Sequence, residues 1–143
     1  MFRGQFEHTI DSKGRLSVPA RFREALAPKS ADRLIITRFP NCARAFAVPD
    51  FEEIERKLRS QPQTDKIRGW LRFHVGGAHE CEVDPQGRIV VPPSLRAHAG
   101  LEKDVVLVGI VDCFEIWSAS NWKSEDDRNG AAVAGDPNFI PDI

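Results

Sequence analysis

Residues 11–19 read DSKGRLSVP and residues 84–92 read DPQGRIVVP. Asp11, Gly14, Arg15 and Pro19 thus recur as Asp84, Gly87, Arg88 and Pro92, each 73 positions later, with Leu16 exchanged for Ile89 and Val18 for Val91. The likeness extends to both sides: Phe22 and Arg23 align with Leu95 and Arg96, Ile10 with Val83, and Glu7 with Glu80. So many matches at one offset mean that one folding unit occurs twice. Two halves of about 70 residues would each be marginal alone. The repeat therefore predicts one pseudo-symmetric domain with a shared core.

Around each copy the pattern is that of an α+β fold. Phe6, His8 and Ile10 alternate with Glu7 and Thr9, and Leu16 and Val18 resume the alternation beyond Gly14, which predicts two short strands joined by a tight turn. Glycine permits a positive φ there, and the Asp11 carboxylate can accept backbone hydrogen bonds of the turn. Pro19 opens a short helix reaching Ala25. The second copy repeats this with Pro92 and Pro93, and Gly100 reads as the C-cap. Apolar strands follow each copy, LIIT at 34–37 and FAV at 46–48 in the first, VVLVG at 105–109 and FEIW at 114–117 in the second.

Asp50 with Glu53 reads as a capping box for a helix that presents Phe51, Ile54 and Leu58 on one face. Thr64 reads as the cap of another, with Ile67, Trp70, Leu71 and Val75 at helical spacing; both sets are read as core. These two longer helices are expected only in the first half. A last short helix starts near Ser120 and carries Trp122, and from Asn129 the chain has no periodicity. The expected division is a first repeat with its following helix at 1–60, a connecting helix at 61–77, a second repeat at 78–125 and a flexible tail at 126–143.

Composition narrows the function classes. Hydrophobic content of 41% with 29% charged residues is ordinary for a soluble globular chain. No apolar run approaches the roughly 18 residues of a membrane span, and MFRGQFEHTI lacks the continuous apolar stretch of a signal peptide. The expectation is a cytoplasmic protein with no membrane partner. Cys42, Cys81 and Cys113 form no CxxC pair and read as buried, inert thiols. His74, His79 and Cys81 lack a recurring ligand spacing. His8 and His98 have no nucleophile at a recognisable distance, and GxSxG, HExxH and phosphate-loop patterns are missing. No catalytic residue, metal, cofactor or small-molecule substrate is therefore expected. The net charge of −1 is unevenly spread: residues 1–30 hold six cations against three acids, and residues 115–143 hold six acids against two cations.

The turn itself suggests a chemistry. An arginine directly after a turn glycine stands at a hairpin tip, where its planar guanidinium can address phosphate or guanine O6/N7 in bidentate fashion. An aspartate four positions earlier can hold that guanidinium in place. The same pair can equally be a turn-stabilising ion pair, and the bare pattern leaves both readings open. Lys13 in the first turn and Arg3, Arg21 and Arg23 near it favour binding. In the second turn Gln86 replaces Lys13, keeping a donor but losing charge. The expected DNA-contact set is Arg3, Lys13, Arg15, Arg21, Arg23, Gln86 and Arg88, with Asp11, Gly14, Asp84 and Gly87 shaping the turns. Arg68 and Arg72, at i and i+4, read as a solvated stripe.

MFRG at the start, the doubled motif, TDK at 64–66, Gly77-Ala78, and PPSLRAHAGLEKDVVLVG at 92–109 together resemble the MraZ family. These are bacterial transcriptional regulators associated with the division and cell-wall gene cluster, within the AbrB/SpoVT-like superfamily. The resemblance spans about residues 1–125. It implies a double-split β-barrel made of two swapped-hairpin-like halves, with short helices. It further implies a ring-shaped homo-oligomer on the nucleoid that binds short direct repeats in the double-stranded DNA of its own operon promoter, generally as a repressor. The family's function is attributed to a DxxxR motif, which falls here on Asp11–Arg15 and Asp84–Arg88. An alternative within the superfamily is an antitoxin-type protein-binding module. Against it stand the duplication and the lack of an apolar helical face at 129–143.

Overall fold

Residues 1–139 are described by the computed structural model, and the two halves run through the same order of elements. The first comprises β1 (Phe2–Thr9), β2 (Arg15–Ser17), α1 (Ala20–Ser30), β3 (Arg33–Phe39), β4 (Cys42–Ala47) and α2 (Val48–Arg59). A connecting helix α3 (Asp65–Trp70) passes directly into a π-helical turn at Leu71–Val75. The second half comprises β5 (His79–Glu82), β6 (Arg88–Val90), α4 (Pro93–Ala99), β7 (Asp104–Val111), β8 (Phe114–Ser118) and α5 (Ala119–Gly135).

Strand pairing crosses between the halves. The main sheet is antiparallel with order β1-β7-β8-β4-β3-β5, and β2 pairs with β6 in a separate two-stranded ribbon. Each half lends its first strand to the other's third: β1 lies on β7 from Phe2↔Val111 to Thr9↔Asp104, and β5 lies on β3 from Arg33↔Glu82 to Ile36↔His79. At the centre β4 meets β8, where Arg44 stands opposite Glu115 and its Nε donates to the carboxylate at 2.9 Å.

The expected hairpin across the DxxGR turn is therefore not formed as such. One isolated bridge, Ile10↔Leu16, links the residue after β1 to β2, and β2 instead takes the other repeat's β6 as partner. Pairing across the repeat satisfies backbone groups on both sides at once. The Val18 N–H donates to the Gly87 carbonyl and the Val91 N–H to the Gly14 carbonyl, each at 2.8 Å. It also sends Leu16 and Ile89, both 1% exposed, into the same interior. That interior is shared by the halves, as the repeat predicts: Phe2, Phe22, Leu34, Leu107 and Ile116 belong to one cluster with them. Phe22 stacks on Phe114 at 4.8 Å between ring centroids. Each such side chain contributes about 1.5–3 kcal/mol on burial.

The helices depart from the sequence reading in four places. Helix α1 continues past Ala25 to Ser30 through Pro28, because buried Leu26 anchors its second half. Helix α2 begins at Val48 rather than at an Asp50 cap; Pro49 fits its first turn, and the Val48 N–H donates to the Ser30 hydroxyl at 3.1 Å. Asp50 instead receives the Lys29 ammonium, and Glu53 pairs with Arg56. Third, α5 is the second half's counterpart of α2 and runs for 17 residues, through the stretch expected to lack structure from Asn129. Its Ser118 cap accepts from the Asn121 N–H, and Ala131, Ala132 and Ala134 are strong helix formers. The part of the expected tail at 140–143 lies outside the described residues. Finally, of the apolar residues assigned to the core on α2 and α3, only Phe51 is fully buried, the others being half-buried. Thr64 caps α3 as expected, accepting from the Ile67 N–H.

One expectation about single groups is met: all three cysteines are buried. Burial holds the thiols protonated, pushing Cys42 and Cys113 up to about 12 and Cys81 up to about 11. His74 is a core histidine, its ring between Phe39 and Trp70 and its Nδ1 hydrogen-bonded to the Arg38 carbonyl at 2.8 Å.

Candidate nucleic-acid interface

The two DxxGR turns are brought to the two ends of one ribbon. β2 and β6 pair as Arg15↔Val90, Leu16↔Ile89 and Ser17↔Arg88. Because side chains alternate across a strand, Leu16 and Ile89 point to the core and the other four point away from it. Arg15, Ser17 and Val90 are exposed and Arg88 half-exposed. The ribbon thus carries an outward face of Arg15, Ser17, Arg88 and Val90, with an arginine at each end.

Each turn is closed by its aspartate. Asp11 Oδ1 accepts the backbone N–H groups of Lys13 and Arg15, both at 2.9 Å, and Oδ2 accepts Arg15 Nε at 2.6 Å. Asp84 does the same, with Gln86 and Arg88 N–H at 2.9 Å and Arg88 Nε at 3.3 Å. Gly14 and Gly87 sit at φ +84° and +78°, the left-handed conformation that the turn requires. The backbone N–H of Arg15, then its guanidinium, lower the Asp11 carboxyl from 3.8 to about 2; the backbone N–H of Arg88 leads the same effect at Asp84.

The aspartate thus fixes the inner edge of the guanidinium while leaving its tip free. Of the Arg15 guanidinium only Nε is hydrogen-bonded among the described residues, so both terminal nitrogens are left without a partner and can serve a bidentate acceptor. Arg88 differs, because its Nη2 also donates to Gln86 Oε1 at 2.6 Å. Gln86 therefore serves its neighbouring arginine as an acceptor. The Lys13 ammonium makes no hydrogen bond or ion pair among the described residues.

Two further arginines act across the repeat. Arg23 donates from Nε to the Val18 carbonyl, and its guanidinium lies where a Cβ on Gly87 would stand. Its counterpart Arg96 donates to the Val91 carbonyl and to the Ser12 carbonyl, over Gly14. The expectation that Arg23 flanks the first turn is corrected: strand exchange places it on the second, and Arg96 takes its place. Arg96 was legible in the alignment of Arg23 with Arg96. Arg3 and Arg21 meet elsewhere, in an open cleft of about 700 Å³ with Met1, Phe22, Glu24 and Ala25, none of which belongs to a turn. Ser17 and Val90 carried no signal in the sequence beyond their place between the arginine and the proline.

A family model described as "MraZ protein, putative antitoxin-like" matches residues 1–70 and 75–129. The chain belongs to the MraZ family. Curated members of that family named "Transcriptional regulator MraZ" lie at comparable distance. The one from Acetivibrio thermocellus is 44% identical over 135 residues, 92% of each chain. Those from Alkaliphilus metalliredigens and Desulforamulus reducens are 46% identical over 132 residues (90% of each chain) and 49% identical over 124 (85% of this chain, 84% of the relative). These MraZ relatives are named as regulators and not as enzymes. Among the described residues no helix is long and apolar enough to cross a membrane, and no three His, Cys, Asp or Glu side chains are grouped to hold a metal ion.

Proposed function

We propose that this chain is a transcriptional regulator that binds double-stranded DNA sequence-specifically through the outward face of the β2–β6 ribbon. The observation that carries the reading is the convergence of both DxxGR turns on that one ribbon, with Arg15 and Arg88 each partly exposed and held through Nε by an aspartate. A two-stranded ribbon fits the major groove of B-DNA, and pre-oriented guanidinium groups match guanine O6/N7 or phosphate. Holding the guanidinium in advance reduces the ordering cost of each contact. The names of the family's members agree with this reading.

One ribbon with its two turns offers few cations, so useful affinity requires several chains on successive DNA repeats at high effective concentration. The reading therefore includes a ring-shaped homo-oligomer acting as a repressor at short direct repeats upstream of its own operon, in the cytoplasm on the nucleoid. The fold that belongs to it is the double-split barrel. β1 packs against β2, β5 against β6, and the ribbon joins the two edge strands of the main sheet.

An antitoxin-type role would need an apolar surface for a protein partner. The second half of α5 and the residues after it expose only Val133 and Phe139 as large hydrophobics among the described residues. The test is an electrophoretic titration with the DNA upstream of the protein's own gene against an unrelated duplex of equal length. Retention of the upstream DNA alone supports the reading; equal retention of both, or of neither, overturns it.

A further inference from the structure

We propose that Val90 reads a thymine, by contact with its C5 methyl group, beside the base pair addressed by Arg15. The inference rests on the DNA-binding reading above and deepens it. A lone exposed hydrophobic residue is ordinary. Val90 is not lone in that sense: it is 54% exposed, stands directly opposite Arg15 in the ribbon register, and shares the outward face only with polar Arg15, Ser17 and Arg88.

Cross-strand partners place their Cβ atoms about 4.5–5.5 Å apart. Successive base pairs are about 3.4 Å apart. Two side chains paired across the ribbon therefore reach the same or adjacent steps of a groove that the ribbon enters. Valine has no donor or acceptor. The one feature of the major groove that it can recognise is the thymine methyl, whereas arginine takes guanine.

The repeat gives an internal comparison. The position equivalent to Val90 is Ser17, opposite Arg88, so the ribbon presents an arginine–valine pair at one end and an arginine–serine pair at the other. Lys13 against Gln86 adds a second inequality of the same kind. A pseudo-symmetric scaffold with unequal ends favours a non-palindromic element, with the methyl-dependent base next to the end carrying Arg15.

The experiment is a uracil scan. Each thymine of a duplex from the upstream region is replaced in turn by uracil, which removes the methyl group alone. Binding is measured for the wild type and for Val90→Ser, which copies Ser17. Loss of one methyl contact predicts about a fourfold weakening at one thymine. Val90→Ser should bind the unmodified duplex more weakly by a similar factor and should no longer respond to uracil at that position. Indifference of the wild type to every uracil overturns the inference without needing the variant, as does a Val90→Ser protein that keeps the full uracil response. Failure of the underlying reading looks different: the wild type then prefers no duplex at all.

Discussion

Gly14→Ala and Gly87→Ala should not cost the same, although the two glycines are equivalent in the repeat. Both residues have a positive φ, which alanine resists by about 1–2 kcal/mol. Both added methyl groups also displace an arginine, Arg96 over Gly14 and Arg23 over Gly87, each of which donates Nε to a carbonyl at 3.1 Å. Losing that bond costs about 1 kcal/mol. At Gly87 the nearest atoms all belong to the Arg23 side chain, which can swing away. At Gly14 the nearest atom is the Val91 carbonyl oxygen, 2.7 Å from the new Cβ. That residue's N–H is bonded to the Gly14 carbonyl, so the clash falls on the ribbon itself. Overpacking of this kind adds about 1–3 kcal/mol.

The expected totals are about 2–3 kcal/mol for Gly87→Ala and about 3–6 kcal/mol for Gly14→Ala. Urea unfolding at matched protein concentration gives the comparison. The double mutants sharpen it: Arg23→Ala should relieve part of the Gly87→Ala penalty, while Arg96→Ala should leave the backbone clash at Gly14 in place. Equal penalties at the two glycines, or complete relief of Gly14→Ala by Arg96→Ala, would refute the packing account of the turns.

Two further outcomes follow from the turns and from the assembly. In a carboxyl NMR titration Asp11 should titrate near 2 rather than 3.8, with Asp84 also lowered. Because these pKa values are depressed in the folded state, the stabilisation is complete above the ordinary carboxylate range and is lost as pH falls from about 4 through about 2; ordinary titration of Asp11 would contradict the turn geometry. On DNA, affinity should rise from one repeat to three, and the log K against log salt slope should steepen by about −0.9 for each additional phosphate contacted. Equal slopes and affinities on both targets would remove the multivalent mechanism.

Much of the fold was legible because the repeat is strong. The turn glycines, the Pro19 and Pro92 helix starts, the Gly100 cap and the shared core all follow from local chemistry written in the two motifs. What a single segment cannot encode is its partner. β2 has the same alternation whether it pairs with β1 or β6, and the exchange is settled by Gly14 and Gly87 carbonyls accepting from the opposite repeat. The same exchange moves Arg23 to the far turn, which proximity in sequence could not reveal. The site was legible in its arginines and aspartates, whose spacing carries their pairing. Val90 was not, because only the register sets it opposite Arg15. The length of α5 was hidden as well, since alanine-rich stretches with few large apolar residues have no hydrophobic period to read.

The central claim is tested most directly by Arg15→Ala, titrated against the upstream DNA beside Arg88→Ala, with melting curves and oligomer mass recorded for both. Arg15 is exposed and its terminal nitrogens have no hydrogen-bond partner among the described residues, so its removal should abolish specific binding while fold and assembly persist. Arg88, already partly engaged by Gln86, should cost less affinity. An intact Arg15→Ala oligomer that binds with near-wild-type affinity would contradict the account and leave Asp11–Arg15 as a turn-stabilising ion pair.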